Sequence, residues 1–224
     1  YTFELRELAS TALLAYFVAG FIAMPAWMRL AYRIGKHTAL GWAMAYGAAV
    51  QIGLYFAAAP GEVLEVRLET AHPQLPVGYT LIRPGAGALP HRFQENHLRF
   101  TPIDLATNTI EFPPDSGIRL PLRPFFGILG VATAEVGRNS IPPGDYGGNI
   151  DNRLLQPPCR LFLPVYLPGA MFSIGDGHAL QGDGEACLTA LETSMEGIIQ
   201  LIRRPDLQGL PLPLAETPDA WITM

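Results

Sequence analysis

Two short, polar, glycine-rich stretches hold the side chains of this chain best suited to chemistry. Residues 141–153, IPPGDYGGNIDNR, bring Asp145, Asn149, Asp151, Asn152 and Arg153 beside paired glycines. Further along, SIGDGHALQGDGEACLTALET brings Asp176, His178, Gln181, Asp183, Glu185 and Glu192. Asp176 and His178 are two positions apart, so on an extended segment they project to one face. An imidazole and a carboxylate together suit Zn²⁺ or a similar divalent ion. Glu185 is then placed to act as general base on a water whose pKa the ion lowers to about 7.

Spacing alone leaves that reading open. Asp and Asn beside Gly are ordinary turn formers, and a single His is commonly just a hydrogen-bonded core or surface residue. An Asp-x-His pair is far less specific than His-Glu-x-x-His. A phosphate cradle over GDGHALQGDGE is the weaker alternative, because no Lys or Arg lies nearby to meet the anion. Cys187 reads as a buried structural thiol more than as a nucleophile, since no base accompanies it.

The elements that must carry these residues belong to the second part of the chain. VLEVRLET, over residues 63–70, alternates apolar and polar positions as a half-buried strand does. Short apolar runs at 125–131 and 161–167 follow, bounded by Pro and Gly. Strands punctuated by turn residues predict a mainly β (α+β) domain, sandwich-like more than barrel-like. Residues 185–202 have the length and spacing of one longer helix.

Composition divides the chain. It has 224 residues, 49% hydrophobic, 16% charged, with net charge −5 and two cysteines. That excludes a disordered chain, a disulfide framework and a general nucleic-acid binder, which needs a basic face. Residues 1–59 carry four basic and two acidic side chains, against eleven and eighteen in the remainder, and of 21 prolines only Pro25 precedes Pro60. A domain boundary between 1–59 and 60–224 is expected.

The first part reads as membrane. Residues 11–28 are uncharged, and residues 39–59 contain one strongly polar side chain, Gln51. A bilayer core about 30 Å thick needs roughly 20 apolar helical residues. The connection RLAYRIGKH is basic, which predicts a transmembrane-type hairpin with a cytoplasmic loop. Gly41, Ala45, Ala49, Gly53 and Ala57 would form a small-residue stripe for close helix packing. A cleaved signal peptide fits less well, because Glu4 and Glu7 precede the first run and a second run follows.

Both parts resemble known families. Within LLAYFVAGFIAMPAWMRLAYRIGKHTALGWAMA, the residues Pro25, Trp27, Arg29, Leu30, Ala31, Arg33, Gly35 and Lys36 resemble a helix–loop–helix piece of the major facilitator superfamily, in its sodium–sugar symporter branch. Two helices cannot enclose a transport path, so that piece alone implies no transporter. Residues 60–224, through the blocks at 123–127, 130–132, 147–152, 163–169 and 175–185, resemble the acetamidase/formamidase family. That resemblance implies a cytoplasmic, homo-oligomeric amidohydrolase that cleaves formamide, acetamide or similar short amides to carboxylate and ammonia. It implies a divalent metal, zinc the usual candidate, held by Asp151, Asp176 and His178. It also implies Glu185 as base, with Asn149 or Gln181 orienting the amide. Members of that family extend further at the N-terminus, where a His-containing motif is expected; His72 and His91 do not match it. If the hairpin inserts, the chain is placed at the membrane. Two readings then follow: a tethered hydrolase, or a non-catalytic join of transporter and amidase fragments.

Overall fold

The computed structural model describes residues 58–135 and 137–224. Thirteen strands follow one another: β1 Glu62–Pro73, β2 Val77–Ile82, β3 His97–Asp104, β4 Thr109–Glu111, β5 Arg119–Pro121, β6 Phe125–Gly130 and β7 Gly147–Asn149, then β8 Cys159–Pro164, β9 Ser173–Leu180, β10 Leu191–Glu192, β11 Met195–Gln208, β12 Leu214–Glu216 and β13 Trp221–Thr223. They form a five-stranded sheet, β11-β1-β8-β12-β13, and an eight-stranded sheet, β5-β4-β3-β2-β10-β9-β6-β7. Neighbouring strands pair antiparallel.

The main core lies where strands of the two sheets meet. Leu64, Val66 and Leu68 project from one face of β1, joined by Leu161 and Leu163 of β8 and by Leu129 of β6. Burying one such side chain is worth about 1.5–3 kcal/mol, so the alternation of β1 is enforced by the core it fills. The other face of β1 is covered too. Val63 is buried, and Glu65 is fully buried beneath three guanidinium groups. Its carboxylate accepts from Arg67 Nε at 2.7 Å and Arg204 Nη1 at 2.6 Å, with Arg160 Nη1 3.6 Å away. A second, smaller core gathers Ile103, Ile110, Ala179 and Leu191 under the eight-stranded sheet.

The structure corrects the expected α+β architecture. The run 185–202, expected as the longer helix, becomes a turn, the short β10 and most of β11. The helical element here is the three-residue 3-10 turn Asp183–Glu185. The cause is tertiary: β1 offers a long partner ladder, registered from Glu62↔Gln208 to Pro73↔Met195. Ile198, Ile199 and Ile202 are β-branched and suit a pleated surface. Gly197 lets the strands close, since a Cβ there would lie 2.7 Å from the Thr70 carbonyl.

The expected transmembrane hairpin lies, apart from its last two residues, outside the described residues. Ala58 and Ala59 are not helical; the Ala58 carbonyl accepts from Gly169 N at 2.9 Å. Among the described residues no helix is long and apolar enough to cross a membrane. The transmembrane-helix reading, and the membrane placement derived from it, have no helix among the described residues to rest on, and neither is carried further.

Candidate metal centre and active site

The site is assembled on the eight-stranded sheet, where β6, β9 and β10 run side by side. Cross-strand register places Phe100, Tyr79, Glu192, His178 and Phe125 in one row: Phe100 faces Tyr79, Tyr79 faces Glu192, Glu192 faces His178, and His178 faces Phe125. His178, 1% exposed, is clamped edge-on against the Phe125 ring, with centroids 5.0 Å apart and planes at 85°.

Asp151 enters from the loop after β7. Its backbone N–H donates to the Gly127 carbonyl at 3.1 Å, so the loop is fastened to the middle of β6. Asp176 lies within β9 but not in extended conformation. Its φ is 61°, and the ladder to β6 passes from Gly175↔Ile128 to Gly177↔Phe126 without a pairing for it. The expected convergence of Asp176 and His178 is therefore reached through a local left-handed kink and not through plain two-residue alternation. Asp151 and Glu185 share this left-handed conformation, at φ 45° and 44°. For non-glycine residues such backbone costs of order 1–3 kcal/mol each and clusters at functional sites.

These segments bring Asp151, Asp176, His178, Glu185 and Glu192 together. Nε2 of His178 lies 3.2 Å from Asp176 Oδ2, 3.3 Å from Glu192 Oε1 and 3.9 Å from Asp151 Oδ1. Asp151 with Asp176 and His178, and Glu185 with Glu192 and His178, each form a donor group compact enough to hold a cation. The imidazole Nδ1 is occupied elsewhere, 2.9 Å from Gln181 Oε1, while Gln181 Nε2 donates to the Asp151 carbonyl at 2.7 Å. Asn149 Nδ2 donates to Asp151 Oδ2. Arg153 pairs with Asp183 and ties the turn carrying Glu185 to the Asp151 loop, with Nη2 3.1 Å from Oδ2.

Two features test the fit of a divalent ion. Nε2 of His178 and Oδ1 of Asp151 are both buried without a hydrogen-bond partner, and they face one another. Gaps of 3.2–3.9 Å between donors match what ligands sharing one ion at about 2.1 Å require. The second feature is the bare backbone of Gly127. A Cβ there would lie 2.6 Å from Asp176 Oδ2, 2.8 Å from His178 Cε1 and closer still to Asp151 Oδ1. The space these donors share is open because position 127 has no side chain. Donors and space together fit a divalent cation; one imidazole with several carboxylates does not single out zinc.

The electrostatics agree with a site that wants positive charge. Burial alone would lower the His178 pKa, but the Asp176 carboxylate 3.2 Å from Nε2 and the charges of Glu192 and Asp151 push it up to about 9. Glu185 is raised to about 7 by burial and by the Asp151 charge, against the opposing pull of His178. Burial and the Asp176 charge likewise raise Glu192 to about 7 against His178. Asp151 is raised by burial and by Asp176, whereas the His178 ring beside it holds Asp176 below its ordinary value. Burial together with Glu192 and Asp176 raises the Tyr79 phenol.

Sequence reasoning does not assign a role to Glu192, Gly127, Phe125 or Tyr79. Glu192 is hidden by the helix expected over 185–202, which would carry its side chain away from His178. Gly127 and Phe125 sit in a run that reads only as a buried strand. The Asp176-x-His178 pair is the available signal, because whatever strand lies beside it has to face the site.

The comparisons with known proteins concern this same region. Residues 132–204 match the sequence model of the Acetamidase/Formamidase family, a span that holds Asn149, Asp151, Asp176, His178, Gln181, Glu185 and Glu192. Over that part of its length the chain is similar to the family. An acetamidase of Mycolicibacterium smegmatis is 46% identical over 59 residues, covering 26% of this chain and 14% of that protein. The fold is similar to that of a predicted acetamidase/formamidase from Thermoanaerobacter tengcongensis, with TM-score 0.67, 28% identity and coverage of 72% of this chain and 52% of that one. It is also similar to an acetamidase from Bacillus halodurans, with TM-score 0.65, 29% identity and coverage of 71% and 52%. The chain thus spans about half the length of the solved structures it matches.

Proposed function

We propose that this region is the metal-binding, catalytic part of an amidohydrolase that cleaves short linear carboxamides such as formamide and acetamide to carboxylate and ammonia. The observation that carries the reading is the meeting of Asp151, Asp176 and His178 around two orphaned buried donor atoms, with Glu185 alongside. That the family match spans these same residues supports it.

Asp151, Asp176 and His178 would hold a divalent ion, zinc being one candidate, with Glu192 facing His178 from β10. Bound there, the ion supplies Lewis acidity, which polarises the amide carbonyl and makes an attacking water more acidic. Glu185 is the proton carrier. A carboxyl with pKa near 7 can take the proton of the attacking water and deliver it to the departing nitrogen, because it gains and loses a proton at working pH. One water is consumed, the C–N bond breaks, and the nitrogen leaves as ammonia. Asn149 steadies the Asp151 carboxylate through its amide N–H. Phe125 excludes water from one side of His178 and keeps the imidazole from swinging.

The test is ammonia release from formamide and acetamide by the full chain supplied with Zn²⁺ or Mn²⁺, repeated after chelation and with Glu185→Gln. Turnover that needs the metal, and falls by about 10²–10⁴-fold in Glu185→Gln, is the expected result. Unchanged turnover after complete metal removal refutes the metal role, and an unimpaired Glu185→Gln protein refutes the assigned base.

A further inference from the structure

The family resemblance offers Gln181 for orienting the substrate amide. In the structure its own amide is engaged at both ends: Oε1 lies 2.9 Å from His178 Nδ1, and Nε2 donates to the Asp151 carbonyl at 2.7 Å. From this geometry we propose that Gln181 is instead a positioning residue, a strut that fixes which imidazole nitrogen faces the cation seat and fastens the two donor-bearing segments to each other. This inference rests on the metal reading above.

The amide orientation follows from chemistry. A backbone carbonyl only accepts, so the Gln181 nitrogen must face Asp151 and its oxygen must face the imidazole. An amide oxygen also only accepts, so Nδ1 carries the hydrogen. The lone pair of the neutral ring then sits on Nε2, the atom 3.2 Å from Asp176 and 3.3 Å from Glu192. Without Gln181, the Nδ1–H would be left unsatisfied in a buried site, and a neutral ring could move its hydrogen to Nε2, where the carboxylates wait to accept it. That tautomer offers no lone pair to a cation at the cluster. Fixing a ligand imidazole through its remote nitrogen commonly sets metal affinity by 10–100-fold.

The second bond adds a link that the tautomer argument alone does not need. Asp151 lies on a loop and His178 on β9, so these two donors belong to different segments of the chain. Through one side chain the loop carbonyl and the strand imidazole are held at a fixed separation. This is what a site needing placement within roughly 0.5 Å requires. One of the two Gln181 N–H donors and its oxygen are already committed to Asp151 and His178, so the side chain is held in place by the protein itself.

The experiment is Zn²⁺ binding by calorimetry on the full chain, with the exchange rate of the His178 Nδ1–H followed by nitrogen-15 spectroscopy of the Zn²⁺-loaded protein. Wild type is expected to bind Zn²⁺ through Nε2 and to show a slowly exchanging Nδ1–H. Gln181→Leu is expected to bind Zn²⁺ about 10–100-fold more weakly and to lose the protected proton. Gln181→Glu keeps an acceptor for Nδ1–H but loses the donor to Asp151. The proton is therefore expected to stay protected while affinity still falls. If the leucine variant does not fold, the glutamate variant decides by the same two readings. Wild-type affinity with an undisturbed Nδ1–H in a folded Gln181→Leu protein overturns the strut alone. A wild-type chain that takes up no Zn²⁺ or Mn²⁺ refutes the metal reading beneath it.

Discussion

Replacing Gly127 with alanine adds a single methyl group, and the structure says where it must go. Gly127 does not adopt a left-handed backbone, so alanine imposes no conformational strain there, and the effect is one of space alone. Its methyl carbon would stand 2.6 Å from Asp176 Oδ2 and 2.8 Å from His178 Cε1, where ordinary contact begins at 3.4 Å. Both groups must retreat by roughly 0.6–0.8 Å, beyond the approximately 0.5 Å within which a site keeps its working geometry. In the free protein His178, 1% exposed and packed on Phe125, has to shift at some cost in stability, but Asp151 and Asp176 can turn toward solvent, at 18% and 28% exposure. With a cation bound they cannot turn away. An overpacking cost of about 1–3 kcal/mol then falls on the bound form, which converts to roughly 5- to 150-fold weaker binding. The assay is Zn²⁺ calorimetry paired with thermal unfolding with and without Zn²⁺. Wild type is expected to gain melting temperature on adding the ion, and Gly127→Ala to gain much less. Gly175→Ala is the control, since a Cβ there meets nothing within 4 Å, and it is expected to match wild type. Wild-type affinity in Gly127→Ala would refute the placement of the cation seat over the bare backbone of β6.

Three further outcomes are expected. With His178 raised to about 9, the free imidazole is protonated at neutral pH, so Zn²⁺ must displace a proton; calorimetry in buffers of different ionisation enthalpy is expected to show at least one proton released per ion at pH 7, and affinity rising about tenfold per pH unit towards pH 9. At Glu65, burial alone would raise the carboxyl, but hydrogen bonds and charges from Arg67 and Arg204 hold it below its ordinary 4.5. Its stabilisation is thus full above pH 4.5 and lost as pH falls through the depressed value; Glu65→Gln is expected to cost about 3–5 kcal/mol at pH 7 and progressively less below pH 4 in urea unfolding, and a pH-independent difference would contradict the ion-pair account. Leu161→Ala, at a fully buried position of the main core, is expected to cost about 2–5 kcal/mol in the same measurement.

Strands are legible where the core imposes alternation. Residues 63–70 announce β1 because Leu64, Val66 and Leu68 fill one face. The reading fails at 185–202 because the run does not by itself distinguish a helical from a strand period; β11 is an edge strand, and its one partner β1, far away in sequence, decides it. Strands as short as β7, β10, β12 and β13 carry too few residues to show any period. The same limit shapes the site. Asp151, Asp176, His178 and Glu185 stand out as chemistry-bearing types beside glycines, and the structure gathers them. Glu192 is picked out by type but given no role, because its place depends on a strand whose sequence reads as a helix. Nor does the left-handed backbone of Asp151, Asp176 and Glu185, which two-residue periodicity does not anticipate.

The eight-stranded sheet narrows to a waist. Four strands, β2 to β5, lie on one side and three, β9, β6 and β7, on the other, while β10 between them is two residues long and meets β2 through the single pairing Glu192↔Tyr79. Sheets tend to open along their weakest seams, in units that loosen together. Across that waist the flanks are held by side chains more than by the ladder: Ile103 and Ile110 pack with Ala179 and Leu191, and Leu81 N donates to Thr189 Oγ1 at 2.9 Å. An ion held at this cluster would add a fastening at the narrowest point of the sheet, because Glu192 of β10 faces His178 of β9 there.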